Sequence, residues 1–507
     1  MTKFEIPGSS AETRRIRSMI DHPIIDSDAH IIEYLPDLYD RLGAIAGARV
    51  AQRFERKQHN LDKIVQLPAE LSRRYGITGV AWWNYPARNS FDRATAMLPR
   101  LLYERLPELG IDFAVVYPSY MIQFPVVEED DELRRASCRA INEHLAATFT
   151  GLHDRMIPAA TIPMHTPEEA LDELEHATKR LGFRVVVLTG WVSRKAPGTQ
   201  RSYLDTFGID SLYDYDVVWR YLEDHGLAAT FHSGSMGWSS HANMTNYMHN
   251  HMGHFAAAGD ATARGLLFAG VPMRFPGLRF AFLEGGVAWG ASLFTAFVGH
   301  FAKRNKVDVE HYNPRHLDVG LVRELVRTFG HSSIVGRIDR LDDALRPLSS
   351  PLDPVPDDFA RTGLTTGDEL RRVFERSLFF GCEGDDPMNA CASQRFGHDI
   401  GVQLNPIYGS DIGHWDVPDL QDILHEAHEL VDHGVFSAAD FRRMVFDAPI
   451  RLWTDNNPAF FRGTAVEQAV DQHLHETRGM ARAPVAAGAV TREPARRPHS
   501  NEGMTES

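Results

Sequence analysis

The sequence predicts an α/β fold of the (β/α)₈ TIM-like barrel type, with long helical insertions over the C-terminal face. Three observations carry this: eight short apolar runs, helical patterns between them, and four intervals too long for simple crossovers. Runs rich in Val, Ile and Phe that end in polar residues and give way to a helix mark parallel strands with helical crossovers. In order they are IIDSD (24–28), DFAVVYP (112–118), MIPAATI (156–162) and RVVVLTG (184–190). LAATFH (227–232), RFAFLE (279–284), LFFGCE (378–383) and PIYGSD (406–411) complete the set. Eight fit a closed barrel better than a six-stranded open sheet.

Helix signals separate the runs. Thr166-Pro167-Glu168-Glu169 reads as an N-cap, a proline at the first helical position and an acidic first turn, closed by the glycine of KRLG. Segments 130–147 and 287–304 are similarly amphipathic. The intervals 33–110, 191–225, 233–278 and 286–376 are expected to carry extra helices and loops that roof the site. Domain organisation follows: an N-terminal arm (1–20), the barrel with insertions (21–460), a terminal helix (461–477) and a disordered tail (478–507). The tail lacks periodicity and is dominated by Ala, Arg, Pro, Ser and Glu.

The 507 residues include 68 acidic and 53 basic side chains, a formal charge of −15. With no basic stripe, nucleic acid and anionic membranes are not expected partners. Three cysteines without a CxxC pair suit a reducing compartment. No signal-peptide core or membrane-length apolar stretch is seen, so the chain is read as cytoplasmic.

The chemistry lies at the strand ends, which a barrel gathers on one face. The first run continues into Asp28-Ala29-His30; the fifth ends in His232, the sixth in Glu284 and the eighth in Asp411. Residues 28 and 30 share a face of a strand. Two imidazoles and two carboxylates then meet, with Glu284 nearby. That set suits Zn²⁺, Fe²⁺ or Mn²⁺ with a position open for water or substrate. Singly, each has a plain reading: Asp28 as a cap, His232 as a packed histidine, Asp411 as a turn residue. Their coincidence at converging strand ends argues for a metal.

IIDSDAHIIEYLPDLYDRL (24–42) resembles the opening of the amidohydrolase-related family (amidohydrolase 2), the branch that includes aminocarboxymuconate semialdehyde decarboxylase. NPIYGSDIGHWDVPDL (405–420) resembles its closing motif, RFPGLRFAFLEGGVAWG (274–290) its sixth-strand segment, and residues 154–188 its third and fourth barrel units. The resemblance implies a metal on Asp28, His30, His232 and Asp411. Two positions depart from it. Many members carry His-x-His where this chain has Asp28-x-His30, and many carry histidine where it has Glu284. No lysine stands at the fourth strand end for a carbamylated bridge.

The expected function is metal-dependent hydrolysis of a small organic substrate at a carbonyl-type C–N, C–O, C–C or thioester bond. Asp411 is the expected base, with Glu284 as alternative base or second-metal ligand. Non-oxidative decarboxylation of a small aromatic or dienoic acid is the alternative, and a catalytically idle ligand-binding barrel is a third reading. The expected cofactor is one or two divalent transition ions, zinc first, iron or manganese otherwise. A homo-oligomer, a dimer, is expected from the family alone.

Further candidates for contact with metal or substrate are His249, His254, His414 and Arg88. His251 and His254 could share one helical face; His414 and Asp416 follow Asp411 and could orient it or relay a proton. Gly285-Gly286 could present helix amides to a carboxylate, or simply pack closely. Tyr85, Arg88 and Trp82–Trp83 could wall the pocket or form the core of their insertion. Cys382-Glu383-Gly384 is read as pocket lining without chemistry. No GxSxG elbow, GxxxxGK[ST] loop or GxGxxG after a strand is present.

Overall fold

The computed structural model describes residues 5–80, 85–196, 198–346, 352, 354–393 and 401–482. All eight predicted runs are strands of one sheet. They are β1 (Ile25–Ile31), β2 (Phe113–Pro118), β3 (Met156–Ile162) and β4 (Val185–Leu188), then β7 (Ala229–Phe231), β8 (Phe280–Phe282), β9 (Leu378–Glu383) and β10 (Asn405–Gly409). They neighbour one another in chain order, every pair parallel. Almost every strand residue is buried. Covering both faces of a parallel sheet requires that, and explains why the runs read as continuously apolar.

The sheet closes where β10 returns to β1. The Ser410 N–H donates to an Asp26 carboxylate oxygen at 3.1 Å, and the Asp411 N–H donates to the Asp28 carbonyl at 3.1 Å. Gly409 is required at this seam, since a Cβ there would lie 2.8 Å from Asp28 Cβ. On its other side β1 slips register against β2 between Asp26 and Ala29. The irregularity falls immediately before His30, where bulges characteristically re-aim side chains.

The crossovers follow their local signals. Thr166 caps the helix Pro167–Glu175 by accepting from the Glu169 N–H, and Gly182 closes the segment at φ 79°. Asp130 caps Asp131–Thr148 in the same way. Among the described residues the interval 33–110 holds five α-helices and 233–278 three, and 286–376 includes Ala288–Arg304, Val319–Phe329 and Gly367–Ser377. The interval 191–225 departs from the helical expectation. It opens with an antiparallel hairpin, β5 (Val192–Lys195) and β6 (Ser202–Asp205), before the helix Asp216–Asp224. Arg194 in β5 pairs with Asp205 in β6 at 2.5 Å, a cross-strand contact that no local periodicity announces.

Residues 468–507 separate from the rest as a second unit. Within it the described residues are helical, part of Glu467–Arg482, so the helix begins later than 461 and continues past 477. Gln472 and Glu476, one turn apart, are hydrogen-bonded at 2.9 Å along it. Residues 483–507, most of the expected tail, lie outside the described residues. No helix among the described residues is long and apolar enough to cross a membrane.

One buried ion network ties the first insertion to the loop after β10. Arg105 is almost fully buried and reaches Asp92 at 2.6 Å and Glu108 at 2.9 Å, while its guanidinium lies 4.2 Å from the Phe91 ring centre. Asp92 also accepts the Leu420 N–H at 3.1 Å. Burying charge is costly unless every partner is present, so removing one is worse than never having the network. Arg105→Met should therefore destabilise the fold by about 3–5 kcal/mol, read from urea unfolding. An unchanged midpoint would show that the network contributes nothing.

Candidate metal centre at the barrel mouth

The four predicted strand-end groups meet. His30 Nε2, on β1, lies 3.5 Å from Asp28 Oδ1 and 3.2 Å from Asp411 Oδ1. His232, one residue beyond β7, places Nε2 3.9 Å from Asp28 Oδ2 and 3.0 Å from Glu284 Oε2. Asp28, His30 and His232 offer ligand atoms within 4.8 Å of one another, and so do His30, Glu284, Asp411 and His414. Asp28 Oδ1, His30 Nε2 and Glu284 Oε2 are buried and make no hydrogen bond. Polar atoms of this kind are rarely left so inside a protein.

The backbone is strained at two of these positions. Glu284 has φ 58° and Asp411 φ 50°, in the left-handed region that non-glycine residues rarely occupy. Each such residue costs of order 1–3 kcal/mol, and such outliers cluster at functional sites. The Ser410 N–H donation to Asp26 and the seam bond from Asp411 to Asp28 hold that end of β10 in place.

Electrostatics point the same way. Burial, then the charges of Glu284 and Asp416, raises Asp411 well above the usual carboxylate range. Asp28 is raised by burial and then by Asp26 and Glu383; Glu284 by burial and then by Asp416, Glu383 and Asp28. Burial lowers both histidines, His232 to about 3, with neighbouring imidazoles adding to it. Neutral imidazoles and crowded carboxylates in a dry pocket form a donor set lacking a positive centre. A divalent cation fits it by donor chemistry and by charge.

Not every predicted residue arrives. His414 does: its Nδ1 lies 2.5 Å from Asp411 Oδ1, its Nε2 3.1 Å from the Ser119 hydroxyl, and its ring 4.0 Å from that of His30. His254 is buried, lines the adjoining cavity and has both ring nitrogens without a hydrogen-bond partner. His251 and His254 do not share a helix. Tyr247–His251 ends before Gly253, at φ 75°, and His254 opens the next helix; their rings nonetheless meet at 4.7 Å. His249 and Arg88 are exposed, and neither lines the cavities at the mouth. His249 sits two residues before His251, a step of roughly 200° around a helix, which turns it off the inward face.

Tyr85 packs on Tyr120, just past β2, at 5.7 Å and lies under the Arg93 guanidinium of its own insertion; Trp82–Trp83 lie outside the described residues. The Gly286 N–H is taken by the Gly381 carbonyl at 2.9 Å, and a Cβ on Gly285 would lie 3.0 Å from Trp289 Nε1. Close packing therefore accounts for that pair.

Three residues gain importance beyond the sequence reading. Asp26, fully buried, accepts from the Ser410 hydroxyl at 2.5 Å and from the N–H groups of Ser410 and Asp28 at 3.1 Å each. Glu383 and Asp416 join Glu284 in a further group of carboxylates within 4.8 Å. Glu383 stands at a strand end, so the rule that found Glu284 could have found it. Beside them opens a cavity of about 290 Å³, lined by Glu284, Glu383, Asp386 and Asp416 together with His251, His254, Phe255 and Trp415. No lysine or arginine lines it among the described residues.

A closed parallel barrel with imidazoles and carboxylates gathered at its C-terminal mouth defines the class of barrel enzymes that work there. The sequence profile of the amidohydrolase family matches residues 25–310, more than half of the chain, and the protein belongs to that family. The resemblance read from the opening motif is thereby borne out. The closing motif, 405–420, lies beyond the matched span and is placed at the mouth by barrel closure. Among solved structures, an amidohydrolase from Mycobacterium avium subsp. paratuberculosis K-10 is 17% identical, TM-score 0.47, covering 86% of this chain and 100% of that one. A dihydroxybenzoic acid decarboxylase from Polaromonas sp. JS666, with bound manganese and an inhibitor, is 14% identical, TM-score 0.47, covering 86% and 98%. The 5-carboxyvanillate decarboxylase of Sphingomonas paucimobilis is 13% identical, TM-score 0.47, covering 85% and 99%.

Asp26 touches two strand ends but offers no atom to the candidate ligand groups, so it acts by positioning. Asp26→Asn should weaken Mn²⁺ binding by roughly 10–100-fold in a calorimetric titration, with the circular dichroism spectrum retained. Wild-type affinity in this variant would remove Asp26 from the site's support.

Proposed function

We propose that the chain is a metal-dependent hydrolase acting on a small substrate that is neutral or positively charged at the pocket. The supporting observation is the convergence of Asp28, His30, His232 and Asp411, with buried oxygens of Asp28 and Asp411 and the ring nitrogens of His30 making no hydrogen bonds. These four residues would hold a divalent cation. Bound there, the cation supplies a positive centre that restores the ionised carboxylates, makes water acidic near neutral pH and polarises a carbonyl oxygen.

The rest falls to side chains. Asp411, at the mouth and 3.2 Å from His30 Nε2, accepts the proton of the attacking water. His414 bridges Asp411 to the Ser119 hydroxyl and offers that proton a path away from the reacting carbon. Glu284, 3.0 Å from His232, is the alternative base. His254, which lines the cavity and has unused ring nitrogens, is suited to hydrogen-bond the leaving group.

The cavity lining ranks hydrolysis ahead of decarboxylation. A carboxylic acid entering there would meet four acidic side chains and, among the described lining residues, no lysine or arginine to hold it. The retained donor set also argues against an idle barrel.

Small esters, amides and lactones assayed beside aromatic and dienoic acids, with Zn²⁺ or Mn²⁺ supplied, separate these readings. Hydrolysis of the neutral set is expected. Release of CO₂ from the acids without any hydrolysis would reverse the ranking. Asp411→Asn should lower kcat by about 10²–10⁴-fold, and full activity in that variant would move the base to Glu284. Asp28→Ala/His30→Ala should lose both the cation, by elemental analysis, and all turnover.

A further inference from the structure

Ser119 stands where a serine ordinarily caps a helix. It lies between the end of β2 and the helix Tyr120–Val127, in the N-cap position. Serine is favoured there because its hydroxyl oxygen accepts a free N–H of the first turn. This one does not: the Ser119 side chain makes no capping hydrogen bond. The capping comes from another strand. Glu33, buried two residues past β1, accepts the Tyr120 N–H at 2.9 Å and the Met121 N–H at 3.0 Å.

Relieved of that task, the hydroxyl meets His414 Nε2 at 3.1 Å. The main chain around it is held. The Ser119 N–H donates to the Ile31 carbonyl at 3.0 Å, extending the β1–β2 pairing by one residue, and Glu33 takes the next two N–H groups. His414 in turn places Nδ1 2.5 Å from Asp411 Oδ1, with its ring 4.0 Å from that of His30. One hydroxyl and one imidazole thus connect the ends of β1 and β2 to the loop after β10. The carboxylate they reach stands on strained backbone, φ 50°, which its surroundings must hold.

We propose that Ser119 and Glu33 are positioning residues for the metal centre. Ser119 fixes the His414 imidazole, His414 fixes Asp411, and Glu33 holds the turn that presents Ser119. A hydroxyl suits this place because it both donates and accepts, so it keeps the ring oriented whichever nitrogen carries the proton. Alanine can do neither, and threonine can do both. Groups that orient a metal-binding carboxylate change cation affinity without touching the cation. The proposal rests on the metal-dependent reading of the mouth, but one of its two tests needs no cation, so the two fail separately.

The first test is calorimetric titration of the full chain, stripped with chelator, with Mn²⁺. Ser119→Ala should bind roughly 10-fold more weakly than wild type, and Ser119→Thr equally well. Wild-type affinity in Ser119→Ala would overturn the role of Ser119, and equal weakening in Ser119→Thr would overturn the hydroxyl as its cause. Glu33→Gln should also weaken binding, and adding it to Ser119→Ala should cost nothing further. Losses that multiply would remove Glu33 from the chain of contacts. The second test uses metal-free protein with ¹⁵N-labelled imidazoles. A slowly exchanging ring N–H of His414, assigned by its absence from His414→Gln, should survive in Ser119→Thr and disappear in Ser119→Ala. Its absence from wild type, or its persistence in Ser119→Ala, would overturn the proposal. If the wild type takes up no Mn²⁺, the metal-dependent reading falls and this signal alone decides the positioning.

Discussion

Asp26 accepts three hydrogen bonds, two of them across the seam where the last strand meets the first, and the geometry of the mouth depends on that carboxylate. A barrel of parallel strands gathers its strand ends only when it closes, and here closure runs through side chain and main chain together. The Ser410 hydroxyl and N–H fix the end of β10 to β1; the next residue, Asp411, then arrives beside His30. The register slip in β1 lies within the same few residues. Two residues separated by more than 380 positions in the chain become neighbours through one buried acid.

That seam sits inside an electrostatic conflict. The mouth concentrates acidic groups where water is scarce, holds Glu284 and Asp411 in left-handed backbone and leaves donor atoms unbonded. None of this favours folding by itself. Buried like charges and strained dihedrals persist where the surrounding structure over-determines them and where a bound species relieves them. The barrel supplies the first condition through its fully buried strands, and a divalent cation supplies the second.

The roof is joined to the mouth by specific polar contacts. Arg105 and Asp92 connect the first insertion to Leu420, a few residues beyond His414, Trp415 and Asp416. Asn250 donates to the Gly79 carbonyl at 2.9 Å, joining that insertion to the segment carrying His251 and His254. These contacts make the long intervals part of the site.

Local signals were enough for much of this. Apolar runs located all eight barrel strands, Thr166-Pro167 located a helix start, and polar strand ends located Asp28, His30, His232, Glu284 and Asp411. Such signals are short-ranged, because burial of a strand and capping of a helix depend on residues close in sequence. Glu383 stood at a strand end as well, but a cysteine and a glycine beside it made it read as lining. Asp26 carried no signal, since a buried acid within a strand looks like any polar interruption until its partners from β10 are known. His249 and Arg88 had suitable chemistry but the wrong direction, which depends on helix phase and loop path. By itself the sequence determined the fold class, the strand ends and the kinds of donor atom they carry. The tertiary structure alone decided which donors share a point, which are left unbonded and how acidic the wall between β8 and β10 becomes, because these follow from distances that only barrel closure sets.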